Sequence, residues 1–271
     1  MLPLYEGILY GPTHSRRIGH SLGINILPRR QKVCTFNCSY CQYGWTHNSP
    51  GGATSAADSW PTPDVIARSV AAALTRLAAR GDRPARLSLG GHGEPTLHPQ
   101  LRDVIAAVRE VRDELAPGVP LAMLSNSSTL NSEAVRAAVM QLDERHFKLD
   151  AGDTALMRLL NGTTTSVEHI VEALRQVRPV VIHAIFVRDG QGRIDNSGDV
   201  AVSVWIGTVA SVPAEKVQVY TLEHPPAWPY LQPVSAARLE EIARLARLAG
   251  LTAQAFAPPA APTSRAAGRR S

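Results

Sequence analysis

The chain of 271 residues is 44% hydrophobic and 19% charged, which suits one medium-sized α/β domain and excludes a chain disordered throughout. Met1-Leu2-Pro3-Leu4-Tyr5-Glu6 lacks the basic stretch and apolar run of a secretory leader, and no apolar run reaches membrane-spanning length, so a cytoplasmic protein is expected. The formal net charge of +5 falls to +2 once Arg265, Arg269 and Arg270 near the C-terminus are set aside, so charge lends little weight to nucleic acid as a partner.

Strand-length apolar runs alternate with helical patterns along the chain. The first strand is expected at 21–27 (SLGINIL), followed by a loop that contains all three cysteines. Thr62-Pro63 opens a helix whose stripe is Ile66, Val70, Leu74 and Leu77, ended by Gly81. A strand at 85–90 precedes a helix opened by His98-Pro99 and stopped by Pro117-Gly118. The next strand, 119–125, leads to a helix capped by Asn131, and the strand at 145–150 to one capped by Ser166. The most apolar strand, 179–187, precedes a helix near 198–212, and the strand at 217–222 precedes a last helix from Ser235 to Gly250. Six βα units in series fit an incomplete parallel barrel or an open doubly wound sheet. Residues 1–255 would form this domain and 256–271 a disordered, basic, Ala/Pro-rich tail.

Cys34-Thr35-Phe36-Asn37-Cys38-Ser39-Tyr40-Cys41 has the spacing C-x3-C-x2-C. Cysteines this close cannot build a disulfide framework. Three thiolates on one short loop can each hold one iron of a cubane cluster, leaving the fourth iron open to a substrate. Two other readings stand beside this one. A structural zinc site would recruit His47 or His92 as fourth ligand, and a redox pair would use Cys38 and Cys41 alone.

The cysteine motif, with an aromatic residue just before its last cysteine, resembles the signature of the radical S-adenosylmethionine (SAM) superfamily. Tyr10-Gly11-Pro12, Ser15-Arg16-Arg17-Ile18-Gly19 and Ser21-Leu22-Gly23-Ile24 are similar to one subgroup, the single-cluster iron–sulfur oxidoreductases described as wyosine-synthetase-like. So are Gly91-His92-Gly93-Glu94-Pro95-Thr96-Leu97-His98-Pro99 and Lys148-Leu149-Asp150-Ala151-Gly152-Asp153. The resemblance implies a partial (β/α)6 barrel with its functional residues where strands end and loops begin. It also implies one 4Fe-4S cluster on Cys34, Cys38 and Cys41, and SAM bound at the open iron. Glu94 would accept the SAM ammonium, or merely cap its turn, and Gly91 and Gly93 would let backbone approach the ligand. Tyr40 would pack near the adenine or fold into the core. Ser125 and Asn126 would touch the ribose or carboxylate of SAM, or simply form a turn. Lys148 and Asp150 would be a cofactor-side pair or a salt bridge across the barrel mouth. Arg16, Arg17, Arg188 and His224 are candidates for the substrate, or solvated surface groups; related proteins tend to carry Arg where His224 stands.

The reaction implied is reductive cleavage of SAM, fed by an external flavodoxin- or ferredoxin-type donor, to a 5′-deoxyadenosyl radical that abstracts hydrogen from a substrate. A small molecule or peptide segment is the expected substrate. The chain has no cysteines for a second cluster, which weakens the comparison with two-cluster tRNA-modifying wyosine synthases. A glycyl-radical activating enzyme and a non-catalytic zinc or iron–sulfur module are the rival readings.

Overall fold

In the computed structural model, which describes residues 1–46 and 60–258, the strands form where apolar and β-branched runs are bracketed by turn residues. β1 (Leu9–Ser15) and β2 (Gly19–Asn25) make an antiparallel hairpin with a bulge between Tyr10 and Thr13. β3 (Arg86–Gly90), β4 (Leu121–Ser125), β5 (Glu144–Lys148) and β6 (Val180–Ile185) continue the sheet in parallel from β2. β7 (Val187–Asp189) leaves it to pair antiparallel with β9 (Leu231–Pro233) in a two-stranded ribbon. β8 (Ala214–Tyr220) rejoins beside β6, and β10 (Ala253–Phe256) adds in parallel on β8. The order β1-β2-β3-β4-β5-β6-β8-β10 is a partial (β/α)6 barrel, with β1 and β10 at its edges.

Crossover helices follow the strands: α1 (Pro63–Ala79), α2 (Leu101–Leu115), α3 (Glu133–Val139), α4 (Thr154–Asn161), α5 (Val167–Arg175), α6 (Asp199–Ala210) and α7 (Ala236–Leu248). Most start on a side-chain oxygen that accepts an otherwise unpaired backbone N–H, as Thr62, Ser166 and Ser235 do. Four expectations shift. α2 starts at Leu101, because Pro95–Leu97 has already formed a separate 3-10 turn ending at His98. Ser132, whose hydroxyl accepts from Val135, caps α3 in place of Asn131. α4, capped by Asp153, and the strands β1, β9 and β10 are additional elements. The expected tail loses Phe256 to β10; residues from 259 onward, and His47, lie outside the described residues.

Side chains along a strand alternate between faces, and here the two faces differ in kind. Leu22, Leu89, Met123, Phe147, Ile182 and Val219 point outward into a fully buried layer against the helices. Ser21, Ser88, His146, Lys148 and His183 point inward and line a cavity of ≈ 500 Å³. Fully covered parallel strands ordinarily read as continuous apolar runs. The polar interruptions in LSLG, RHFK and VVIHAI mark the lumen.

Candidate active site

The cysteine loop leaves the end of β2 and is pinned to the C-terminus of α4. Asn37 N–H donates to the Asn161 carbonyl at 3.0 Å, and Ser39 N–H to Leu160 at 2.9 Å. Gly162 ends α4 with φ 56°, and a Cβ there would strike the Asn37 carbonyl, so this glycine serves both cap and loop. Within the loop, Cys41 N–H donates to the Cys38 carbonyl at 3.1 Å. The thiols of Cys34, Cys38 and Cys41 are free and line the cavity together. Two side-chain amides point at sulfur: Asn126 Nδ2 at Cys34 and Asn161 Nδ2 at Cys38, both at 3.6 Å. Burial pushes the Cys34 thiol up to about 12, assisted by the nearby Cys38 and Glu94; burial likewise pushes Cys38 up to about 11.

Glu94 follows β3 and is 1% exposed. Its Oε1 accepts from Thr96 N–H (3.0 Å), Thr96 Oγ1 (2.5 Å) and Ser125 Oγ (2.8 Å), and its Oε2 from Asn126 N–H (2.7 Å). Burial raises its pKa, against the pull of these four donors. Three of these donors crowd Oε1, whereas Oε2 accepts from Asn126 alone and so keeps one of its own two lone pairs for a further donor, and the group lines the cavity. Ser125 and Asn126 thus turn towards Glu94 and the cysteine loop. The glycines before Glu94 also meet protein: Gly91, at φ 131°, faces Asn25, and a Cβ at Gly93 would run into the Val33 carbonyl. Gly91 lets the chain after β3 close against the end of β2, and Gly93 lets it close against the segment leading into the cysteines.

Across the cavity, Asp150 gathers four donors. Tyr40 OH (2.6 Å), Asn161 Nδ2 (2.9 Å), Ile185 N–H (3.0 Å) and Lys148 Nζ (3.0 Å) all converge on it. Lys148 also donates to Tyr220 OH at 2.7 Å. Burial works against the Lys148 ammonium, but Asp150 and Tyr220 outweigh it and its pKa is raised. Tyr40 is raised as well, by burial first and then by the Asp150 charge. Below this cluster, His183 bonds His146 at 2.8 Å, and His146 bonds Glu144 at 2.8 Å. Burial, followed by the positive neighbourhood of His146 and Arg17, keeps His183 well below the ordinary imidazole range.

The other sequence candidates separate. Arg17 and His224 line the cavity. Arg16 does not; it pairs with Glu223 at 2.7 Å. Arg188 lies exposed on β7, outside the lining, because β7 has left the main sheet for the ribbon. His92, a potential zinc ligand by sequence, is wholly buried on the Pro28 carbonyl (2.7 Å) and away from the cavity. Asn161, Tyr220 and His183 were not candidates, since a lone Asn, Tyr or His in an apolar pattern carries no spacing signal. The polar breaks in LNG, QVY and VIHAI were the available hint.

This donor set suits a cluster better than a single ion. Three soft thiols on one short loop share one cavity, the donor type that iron–sulfur clusters use. Buried thiols also need a cationic partner to become thiolates, which iron would supply.

A UPF0026 protein of Methanocaldococcus jannaschii is 33% identical over 154 residues, covering 57% of this chain and 44% of its own. The chain spans between a fifth and a half of the length of the curated relatives it matches. In fold it is similar to a radical SAM methyltransferase of Sphaerobacter thermophilus, at TM-score 0.65 and 15% identity over 88% of this chain and 66% of that one. It is also similar to SuiB of Streptococcus suis, crystallised with SAM, at TM-score 0.60 and 12% identity over 88% and 50%. The model of the radical SAM superfamily matches residues 29–191. That match spans more than half of the chain, which therefore belongs to the radical SAM superfamily.

Proposed function

We propose that Cys34, Cys38 and Cys41 hold one 4Fe-4S cluster, and that the chain cleaves SAM reductively with electrons from a flavodoxin- or ferredoxin-type donor. When bound, the cluster and SAM together supply a 5′-deoxyadenosyl radical that takes a hydrogen atom from the substrate. The observation that carries this reading is the convergence of three free thiols and the Glu94 carboxylate on one cavity.

The chain's own residues divide the work. Glu94 Oε2 accepts the SAM ammonium through its remaining lone pair, a charge-assisted bond. Asn126 and Asn161 donate to cysteine sulfur and so favour the thiolates. Tyr40, held on Asp150, lines the cavity beside Cys41, where the adenine of SAM would pack against it. A cavity of ≈ 500 Å³ suits a small molecule or a peptide segment, and structured RNA poorly.

Anaerobic reconstitution with iron and sulfide tests this. The expected product is brown, with about four iron and four sulfide per chain, and releases 5′-deoxyadenosine when given SAM and dithionite. Cys41→Ala is expected to lose the four-iron species in absorbance and electron paramagnetic resonance. A full cluster in that variant, or colourless protein carrying zinc, would refute the proposal.

A further inference from the structure

Five side chains of fixed charge line the cavity: Arg17, Lys32, Glu94, Lys148 and Glu223. Four of them are accounted for. Lys148 faces Asp150 and Glu223 faces Arg16. Glu94 is ringed by donors, and Lys32 donates to the Gly44 carbonyl at 2.6 Å while standing beside Cys34. Arg17 has no carboxylate within ion-pair reach among the described residues.

Arg17 is nonetheless held in place. Its guanidinium carbon lies 3.8 Å from the centre of the Tyr220 ring, and Nη1 approaches His183 Nδ1 at 3.4 Å. Gln218 Nε2 donates to the Arg17 carbonyl at 3.1 Å, and Arg17 N–H donates to Ser15 Oγ at 3.3 Å. The contact with the ring holds the guanidinium without using its N–H edge, and among the described residues only one of its five donors, on Nη1, has a neighbour that can accept. A cation fixed in orientation but left without a counter-charge is arranged for an oxyanion. Carboxylate and phosphate both match the guanidinium fork with two parallel hydrogen bonds.

The position separates this group from the cysteines. Arg17 sits in the β1–β2 turn, at the N-terminal end of β2, whereas the cysteine loop leaves the C-terminal end. Tyr220, Lys148 and Tyr40 stand between them, linked by the 2.7 Å Lys148–Tyr220 bond and by Lys148 at 4.8 Å from the Tyr40 ring centre.

We infer that Arg17, backed by Tyr220 and His183, binds a carboxylate or phosphate of the substrate, so that the anionic end is anchored away from the cysteine loop and the reacting end is presented to it. The role as a substrate anchor rests on the function proposed above; the anion site rests only on the lumen residues. Titration calorimetry of the full chain with inorganic phosphate and, separately, with acetate tests it. Saturable binding of at least one anion is expected, and the preferred one tells a phosphate ester from a carboxylic acid. Arg17→Gln is expected to weaken binding roughly tenfold or more, and Arg17→Lys, which keeps the charge and loses the fork, several-fold. Arg188→Gln, on the exposed ribbon, is expected to bind as the wild type does. Equal binding by Arg17→Gln, or by Arg17→Lys if the first variant does not fold, overturns the site. So does the absence of saturable binding by the wild type. Displacement of the anion by methionine would assign Arg17 to the cofactor's carboxylate and overturn the substrate reading. Running the titration on Cys41→Ala as well keeps the two proposals apart, because anion binding there is independent of cluster assembly.

Discussion

Glu94 joins three pieces of chain through one carboxylate: its own turn, the end of β4 and, through Asn126, the cysteine loop. Glu94→Gln keeps the size but turns an amide N–H₂ towards donors. A fall in stability of about 1–3 kcal/mol is therefore expected in urea unfolding, the range for leaving a buried polar group unsatisfied. SAM affinity, read by equilibrium dialysis, is expected to drop in the same variant; unchanged values of both would mean the carboxylate does neither task. The glycines of this segment show how far residue types alone can be read. Gly91-His92-Gly93-Glu94 announces bare backbone, but whether a ligand or another strand fills the space is decided by tertiary approach. Here Asn25 and Val33 fill it. Asn161 was illegible for a related reason: its partners Cys38, Tyr40 and Asp150 are distant or unpatterned in sequence.

At the level of elements, the six βα units were legible because the strands are short runs rich in apolar residues and most of the helices have a capping side chain and an apolar stripe. β1 was not, since Gly11-Pro12 in its middle reads as a turn; an edge strand with a bulge tolerates both residues. α4 escaped because its eight residues hold barely two turns of pattern. The strand starts are tied together by a polar cross-link that no periodicity announces. Arg86 of β3 reaches Glu144 of β5 at 2.6 and 2.8 Å, and also bonds the Ile18 carbonyl of the β1–β2 turn. Burial alone would raise the Glu144 pKa, but the His146 and Arg86 hydrogen bonds outweigh it and bring it down to about 2. A depressed carboxyl pKa contributes stability that is present above the unfolded value of 4.5 and is lost as pH falls from there towards 2. Wild type is accordingly expected to exceed Glu144→Gln by on the order of 2–3 kcal/mol at pH 6, with the gap shrinking at pH 3. Urea midpoints at the two pH values measure this, and a gap independent of pH would contradict the assignment.

In the molecule as a whole, the apolar core lies between sheet and helices, and the lumen mixes polar and charged side chains with aliphatic and aromatic ones such as Leu124, Ile185 and Tyr220. Phe147, fully buried on the outer face of β5, is expected to cost about 3–5 kcal/mol when truncated to Ala. Ser88→Ala, which removes a 2.7 Å bond to Ser21 inside the lumen, is expected to cost about 1 kcal/mol. Comparable losses in the two variants, by denaturant unfolding, would show that the lumen shares the structural load.

The two-faced strands carry a consequence for how such chains diversify. The residues that meet a substrate and the residues that keep the sheet folded occupy alternate positions of the same strands, so mutation can revise one set while leaving the other intact. His183, between Ile182 and Ala184, and Gln218, between Val217 and Val219, are each flanked in sequence by buried apolar neighbours that hold the backbone still. A lineage built on this plan can exchange its lumen side chains singly, each step remaining foldable, and arrive at a new substrate without ever passing through a melted ancestor.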